Sequence, residues 1–225
     1  MTCNLELEVN SAIILAGGSG TRFNSTLPKQ FIEVDNGKKI IDFSIEAFKK
    51  NKYIDELVIV LPEEWINKFK DEYKQYKLVI GGKERYESSK KGLLACSEKT
   101  KNIVLHDAAR PLITQKLINE CMNYLNNFEA VAPFIDIDDS LIIMDDIIRY
   151  IDRDIVKVIQ TPQAFNKKIL LDALMNIKKS ARDDMSAVLD YNNTTKVKFF
   201  KGDRYNFKIT HNLDLKTFNN IINEK

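Results

Sequence analysis

The chain is poor in the residues that build metal centres and disulfide scaffolds, with two histidines and three cysteines among 225 residues. Cys3, Cys96 and Cys121 are odd in number and far apart, with no Cys-x-x-Cys pair and no His/Cys cluster. That spacing excludes a zinc ribbon or a disulfide-stapled secreted module and predicts reduced thiols. An excess of one charge sign is missing too. Lys and Arg total 34 against 32 Asp and Glu, a formal net charge of +2, too small for the long-range field of a general nucleic-acid or anionic-membrane binder. Any basic site must therefore be local. No stretch approaches the ~20 apolar residues of a membrane span. Met1 to Asn10 is polar and acidic, without the basic and apolar regions of a secretory leader. Neither nucleic acid nor membrane is expected as a partner, and the cytoplasm is the expected compartment.

What is present is a hydrophobic share of 44%, enough for a sizeable core in one α/β unit. Short apolar runs alternate with amphipathic stretches. Strands are predicted at Ser11–Leu15, Glu56–Leu61, Lys77–Ile80, Asn102–His106, Ala130–Pro133, Lys196–Phe200 and Asn206–Ile209. Helices are predicted at Phe43–Lys50, Glu64–Tyr73, Ser88–Cys96, Gln115–Leu125, Lys167–Ile177 and from Asn212 onward. That order predicts a mostly parallel sheet with helices on both faces. The rhythm breaks over 134–158, where Ile135-Asp136-Ile137-Asp138 alternates and a turn is expected near Asp145-Asp146. A projecting β-hairpin arm follows, on a single domain spanning 1–225. Its apolar residues need a covering surface, which predicts a homodimer through the arm.

Glycine is scarce, eight in all, yet three fall in Ala16-Gly17-Gly18-Ser19-Gly20-Thr21-Arg22-Phe23, directly after the first strand. Leu27-Pro28-Lys29-Gln30 follows. Glycines let the backbone approach a ligand and turn its N–H groups toward phosphate oxygens; Arg22 and Lys29 add a forked and a point charge. A P-loop would need Gly-Lys-Ser/Thr, and a dinucleotide fingerprint would want a small residue where Phe23 stands. A triphosphate cradle suits the combination better than a bare glycine turn with solvated cations.

This combination resembles the nucleotidyltransferase superfamily. Gly81-Gly82-Lys83-Glu84-Arg85-Tyr86-Glu87-Ser88, His106-Asp107-Ala108-Ala109-Arg110-Pro111, Gln160-Thr161-Pro162-Gln163-Ala164-Phe165 and Asn206-Phe207-Lys208-Ile209-Thr210 follow in turn. Their order is similar to that of the 2-C-methyl-D-erythritol 4-phosphate and ribitol-5-phosphate cytidylyltransferases, from about Ala12 to Ile222. The resemblance implies a Rossmann-like nucleotidyltransferase fold and transfer of CMP from CTP to a small phosphorylated acceptor. It implies backbone contacts to CTP from Ala16, Gly17, Gly18 and Gly20, and a frame for cytosine and ribose from Gly82, Arg85 and Ser88. Asp107 and Ala108 would lie by the ribose, with Asp107 as the ligand of Mg²⁺. Arg22, Lys29 and Lys208 would be the catalytic cations. Arg110, Thr161 and Arg153 would serve the acceptor, Arg153 reaching from the arm into the neighbouring subunit. His106 reads as a packed, hydrogen-bonded side chain, and His211 as a helix-start residue.

Two departures from the family pattern bear on the acceptor. Ile137 stands where a threonine is usual, and Arg182-Asp183-Asp184-Met185-Ser186 replaces Thr-Asp-(Glu/Asp)-Ala-Ser. An Arg182 facing the pocket would suit an extra anionic or carbonyl group. The expected acceptor is accordingly a surface-polysaccharide precursor, a polyol phosphate or a phosphorylated amide such as L-glutamine phosphate. Methylerythritol phosphate is the alternative, and a catalytically silent nucleotide-binding assembly protein is the alternative of another class. The retained cations speak against the silent protein.

Overall fold

The computed structural model describes residues 8–17, 27–177 and 181–224. Ten strands and seven helices follow one another among them. The main sheet contains β1 (Val9–Leu15), β2 (Glu56–Leu61), β3 (Lys77–Ile80), β4 (Thr100–Asp107), β5 (Ala130–Asp136), β8 (Lys157–Ile159), β9 (Gln163–Asn166) and β10 (Val197–Lys201). Its order is β10-β5-β9-β4-β1-β2-β3, with β8 added to β5. β1 runs parallel to β2 and β4, β2 to β3, and β5 to β10. β9 is inserted antiparallel between β4 and β5.

Alternation along the strands places a helical layer on each face. Ala12 and Ile14 point toward α1 (Ile40–Lys49), α2 (Glu63–Phe69) and α4 (Gln115–Tyr124); Ile13 and Leu15 point toward α3 (Arg85–Ala95), α5 (Lys167–Met175) and α6 (Asp184–Tyr191). Strands with both faces covered read as continuous apolar runs, as in Leu57-Val58-Ile59-Val60-Leu61 of β2. Gly92 lets α3 press on the sheet, because a Cβ there would stand 2.7 Å from Ile13 Cγ2. The closing helix α7 (Asn212–Asn223) packs Phe218 against Ile40 and Ile209. Among the described residues no helix is long and apolar enough to cross a membrane.

The arm forms where the alternation stops. β6 (Leu141–Ile143) pairs antiparallel with β7 (Arg149–Ile151) around a turn at 144–148. Tyr150 is 80% exposed and Met144 77%, with Ile147 and Ile148 exposed beside them. Two of the elements that differ from expectation bear on the site. Asn206–Ile209 is extended but joins no sheet, because its polar groups are satisfied otherwise. Gln160 Nε2 donates to the Asn206 carbonyl at 3.3 Å, Asn206 Nδ2 donates to the Thr161 carbonyl at 2.7 Å, and the Ile209 N–H donates to the Ala109 carbonyl at 2.8 Å. The second is α6, a helix where only a motif was read: Asp183 caps it by accepting from the Ser186 N–H at 2.8 Å.

Candidate active site

In a parallel sheet, ligands gather beyond the carboxyl ends of the strands, and several of the predicted residues lie there. Leu15 ends β1 opposite Asp107 at the end of β4. The Ala108 N–H donates to the Leu15 carbonyl at 3.0 Å, so Ala16-Gly17 and Asp107-Ala108 leave the sheet side by side. From the next strands, Gly81-Gly82 follows β3. Ser88, on α3, holds this corner: its Oγ accepts from the Gly82 N–H at 3.0 Å. A Cβ on Gly81 would come within 2.9 Å of that oxygen, and one on Gly17 within 3.3 Å. Glycine at 17 and 81 thus lets the two loops close on Ser88 without displacing its hydroxyl.

Charged groups converge on Asp107. Lys208 Nζ donates to its Oδ2 at 2.7 Å, and Arg85 Nη2 stands 3.4 Å from its Oδ1. Burial alone pushes the Asp107 carboxyl upward, but Arg85, Lys208 and Arg110 overcome it and hold the group well below the usual carboxylate range. The carboxylate is ionised at any physiological pH. Lys29 is only 8% exposed, and its ammonium donates to the Ile209 carbonyl at 2.5 Å. That bond ties the Pro28-Lys29 turn to the segment carrying Lys208. Lys29 and Lys208 are therefore brought to the same edge of the site.

Behind Asp107 lies a buried polar layer. Thr161 turns its hydroxyl inward: it accepts from the Asp107 N–H at 3.1 Å and meets His106 Nδ1 at 3.2 Å. His106 Nε2 meets the Arg110 carbonyl at 3.1 Å. These partners fit a neutral imidazole protonated on Nε2 and accepting at Nδ1. Burial pushes the His106 pKa down to about 4, against the raising pull of Asp107. Arg110 donates to the Asn206 carbonyl at 2.8 Å. Thr161, expected at the acceptor, instead supports Asp107 from behind.

Arg22, Gly18 and Gly20 lie outside the described residues. Arg153, on the arm, is exposed and donates to the Asp138 carbonyl, with Arg204 paired to the Asp138 carboxylate at 2.6 Å. Arg182 is exposed just ahead of α6. Its neighbour Asp184 was passed over in the sequence, although it binds Arg85; the Asp-Asp pair within a motif was the available signal. His211 begins α7, where its N–H and that of Thr210 both donate to Asp214 at 2.7 Å. Cys96 and Cys121 are buried free thiols. Among the described residues no cluster of three His, Cys, Asp or Glu could enclose a metal.

A model of the 2-C-methyl-D-erythritol 4-phosphate cytidylyltransferase family matches residues 10–224. The chain belongs to that family. It is a CTP-dependent cytidylyltransferase with the nucleotidyltransferase fold. A relative of that name from Lachnospira eligens is 35% identical over 216 residues, covering 90% of this chain and 94% of its own. A Clostridium botulinum relative of the same name is 36% identical over 218 residues, covering 92% and 94%. A crystal structure of 4-diphosphocytidyl-2C-methyl-D-erythritol synthase from Anaerococcus prevotii superposes with a TM-score of 0.84 at 29% identity, covering 97% of each chain. These similarities back the methylerythritol phosphate alternative better than the expected surface-polysaccharide acceptor. The cytidylyltransferase family matched is the methylerythritol phosphate one, and the departures at Ile137 and Arg182 do not alter that assignment. Arg182 is exposed, while Asp183 and Asp184 beside it keep their anchoring contacts.

Proposed function

We propose that this cytidylyltransferase transfers CMP from CTP to 2-C-methyl-D-erythritol 4-phosphate, releasing pyrophosphate. The observation that carries the reading is the convergence of Lys208, Arg85 and Arg110 around one ionised carboxylate, Asp107, beyond β1 and β4, with Lys29 tied to the segment that carries Lys208. An oxygen of the acceptor phosphate attacks the α-phosphorus of CTP. The new O–P bond forms as the bond to the bridging oxygen breaks, and pyrophosphate leaves with that electron pair. The nucleophile is already anionic, so no general base is required, and His106 is buried away from such a role. Lys29, Lys208 and Arg22 oppose the repulsion between two anions and stabilise the crowded oxygens. Asp107 fits Mg²⁺, an ion that takes one or two protein carboxylates and completes its shell with phosphate and water. When bound, the ion neutralises triphosphate charge.

Purified protein with CTP and Mg²⁺ should release pyrophosphate with methylerythritol phosphate at a kcat/KM at least ~100-fold above that with ribitol or glycerol phosphate, the discrimination of a site built for one hydroxyl pattern. Comparable or better turnover of a polyol phosphate would overturn the acceptor assignment.

The apolar arm supports a homodimer in which Arg153 serves the neighbouring site. An Arg153→Ala chain and a Lys29→Ala chain, each nearly inactive alone, should recover activity when mixed into heterodimers, since one of the two sites then holds both residues. Verified heterodimers without recovery would refute action in trans.

A further inference from the structure

Asp184 is carried into the interior by a firmly tied helix end. Gln163 on β9 clamps α6 from both sides of this residue: its Nε2 donates to Asp183 Oδ2 at 2.7 Å, and its Oε1 accepts from the Met185 N–H at 3.0 Å. Met185, Ala187 and Val188 sink into the core below. The Asp184 carboxylate is left 1% exposed. Its Oδ2 accepts from Arg85 Nη1 at 2.6 Å, while Oδ1 is buried without a hydrogen bond of standard geometry; the hydroxyl of Ser89, one turn along α3, lies near the carboxylate. A buried carboxylate is costly unless paired. Here its pairing has a direction. The same guanidinium reaches Asp107 with Nη2, at the looser distance of 3.4 Å. Of its two anionic partners, one is short-bonded and sealed; the other is long-bonded and lies at the site.

We propose that Asp184 is the positioning residue of the nucleotide site, anchoring one nitrogen of Arg85 so that the other is held beside Asp107 for CTP. Asp184 touches no substrate. It acts by removing the rotamer freedom of a long cationic side chain before the nucleotide arrives, and the Asp107 contact is the one surrendered to an incoming oxygen. The inference rests on the reading that Arg85 faces CTP.

The test is a four-protein cycle of wild type, Asp184→Asn, Arg85→Ala and the double variant, read as CTP dissociation constant and as melting temperature. Asn keeps the volume and removes the charge. In the wild-type background Asp184→Asn should weaken CTP about tenfold, or about 1.4 kcal/mol. At saturating CTP its kcat should stay within about threefold, the signature of lost binding and not lost chemistry. In the Arg85→Ala background the same change should weaken CTP no further. Melting should show the opposite sign in the two backgrounds. Arg85→Ala strands a buried charge and lowers the midpoint by about 5 °C, and adding Asp184→Asn should restore half or more of it. Additive losses in both measurements would overturn the proposal. So would coupling in melting with no change in CTP affinity, which would make Asp184 a residue of the fold alone. A wild-type protein that does not bind CTP would instead sink the functional reading, and this inference with it.

Discussion

Replacing Lys208 by alanine is expected to lower kcat by about 100-fold or more, the scale for losing one preorganised donor at a reacting phosphate. Lys208 is the cleaner of the two lysines to test. Lys29 is buried and its ammonium holds the Ile209 carbonyl, so its removal also loosens the segment that carries Lys208. Lys208 has a 39% exposed side chain whose single ion pair among the described residues is with Asp107. The backbone around it is held independently by the bond from the Ile209 N–H to the Ala109 carbonyl. Deleting the ammonium leaves Asp107 with Arg85 at 3.4 Å and the charge of Arg110. The melting midpoint should therefore move by no more than about 4 °C, since a partly exposed pair contributes about 1 kcal/mol or less. A stable Lys208→Ala protein turning over within fivefold of wild type would remove Lys208 from the chemistry.

This division of labour was partly legible in the sequence. Glu56–Leu61 and Lys77–Ile80 were read with the boundaries they have, because each is an apolar run behind one charged residue and stops at Pro62 or Gly81. Asp107, Lys208 and Arg85 were legible through their motifs. The partner of Arg85 was not, because Asp184 lies 99 residues away and the pair is made only when α3 and α6 meet on one face. Periodicity reports burial along one segment and is silent on which buried ends touch. β9 escaped for a related reason: four residues, antiparallel in a neighbourhood of parallel strands, carry no pattern of their own. Asn206–Ile209 failed in the other direction. Its composition suits a strand, but Gln160 and Asn206 satisfy the local polar groups with side chains and leave no ladder to form. The arm was read over 134–158 from a loss of helical spacing, but Phe134–Asp136 and Lys157–Ile159 pair with each other in the main sheet, and the separate hairpin is β6 with β7.

The largest stability effect expected is a response to acid, traced to one side chain. His106 is fully buried, and its pKa is pushed to about 4 by burial, below the ~6.5 of an exposed imidazole. With a folded-state pKa below the unfolded one, the unfolded chain takes up the proton first. Stability is then fully present above pH 6.5 and falls as the pH drops toward 4, where the folded protein begins to titrate as well. The total is about 3 kcal/mol at 1.36 kcal/mol per unit, of which about 2 kcal/mol should disappear between pH 7 and 5. Asp184, whose carboxyl is pushed up by burial, works in the opposite sense and gains on acidification. The only other histidine, His211, is exposed. Asp107, whose pKa is depressed, adds stability that is present above the ordinary carboxylate range and lost only below it. Protonation also has a visible structural cost, because an imidazolium can no longer accept at Nδ1 from the Thr161 hydroxyl that supports Asp107. Urea unfolding at pH 7, 6 and 5 measures the slope in the wild type, and His106→Gln supplies the control: an amide can still accept toward Thr161 and donate toward Arg110, but it does not titrate. The variant should start less stable at pH 7 and lose clearly less stability than the wild type by pH 5, since its amide does not titrate. Parallel slopes in the two proteins would show that the acid sensitivity originates outside the layer behind Asp107.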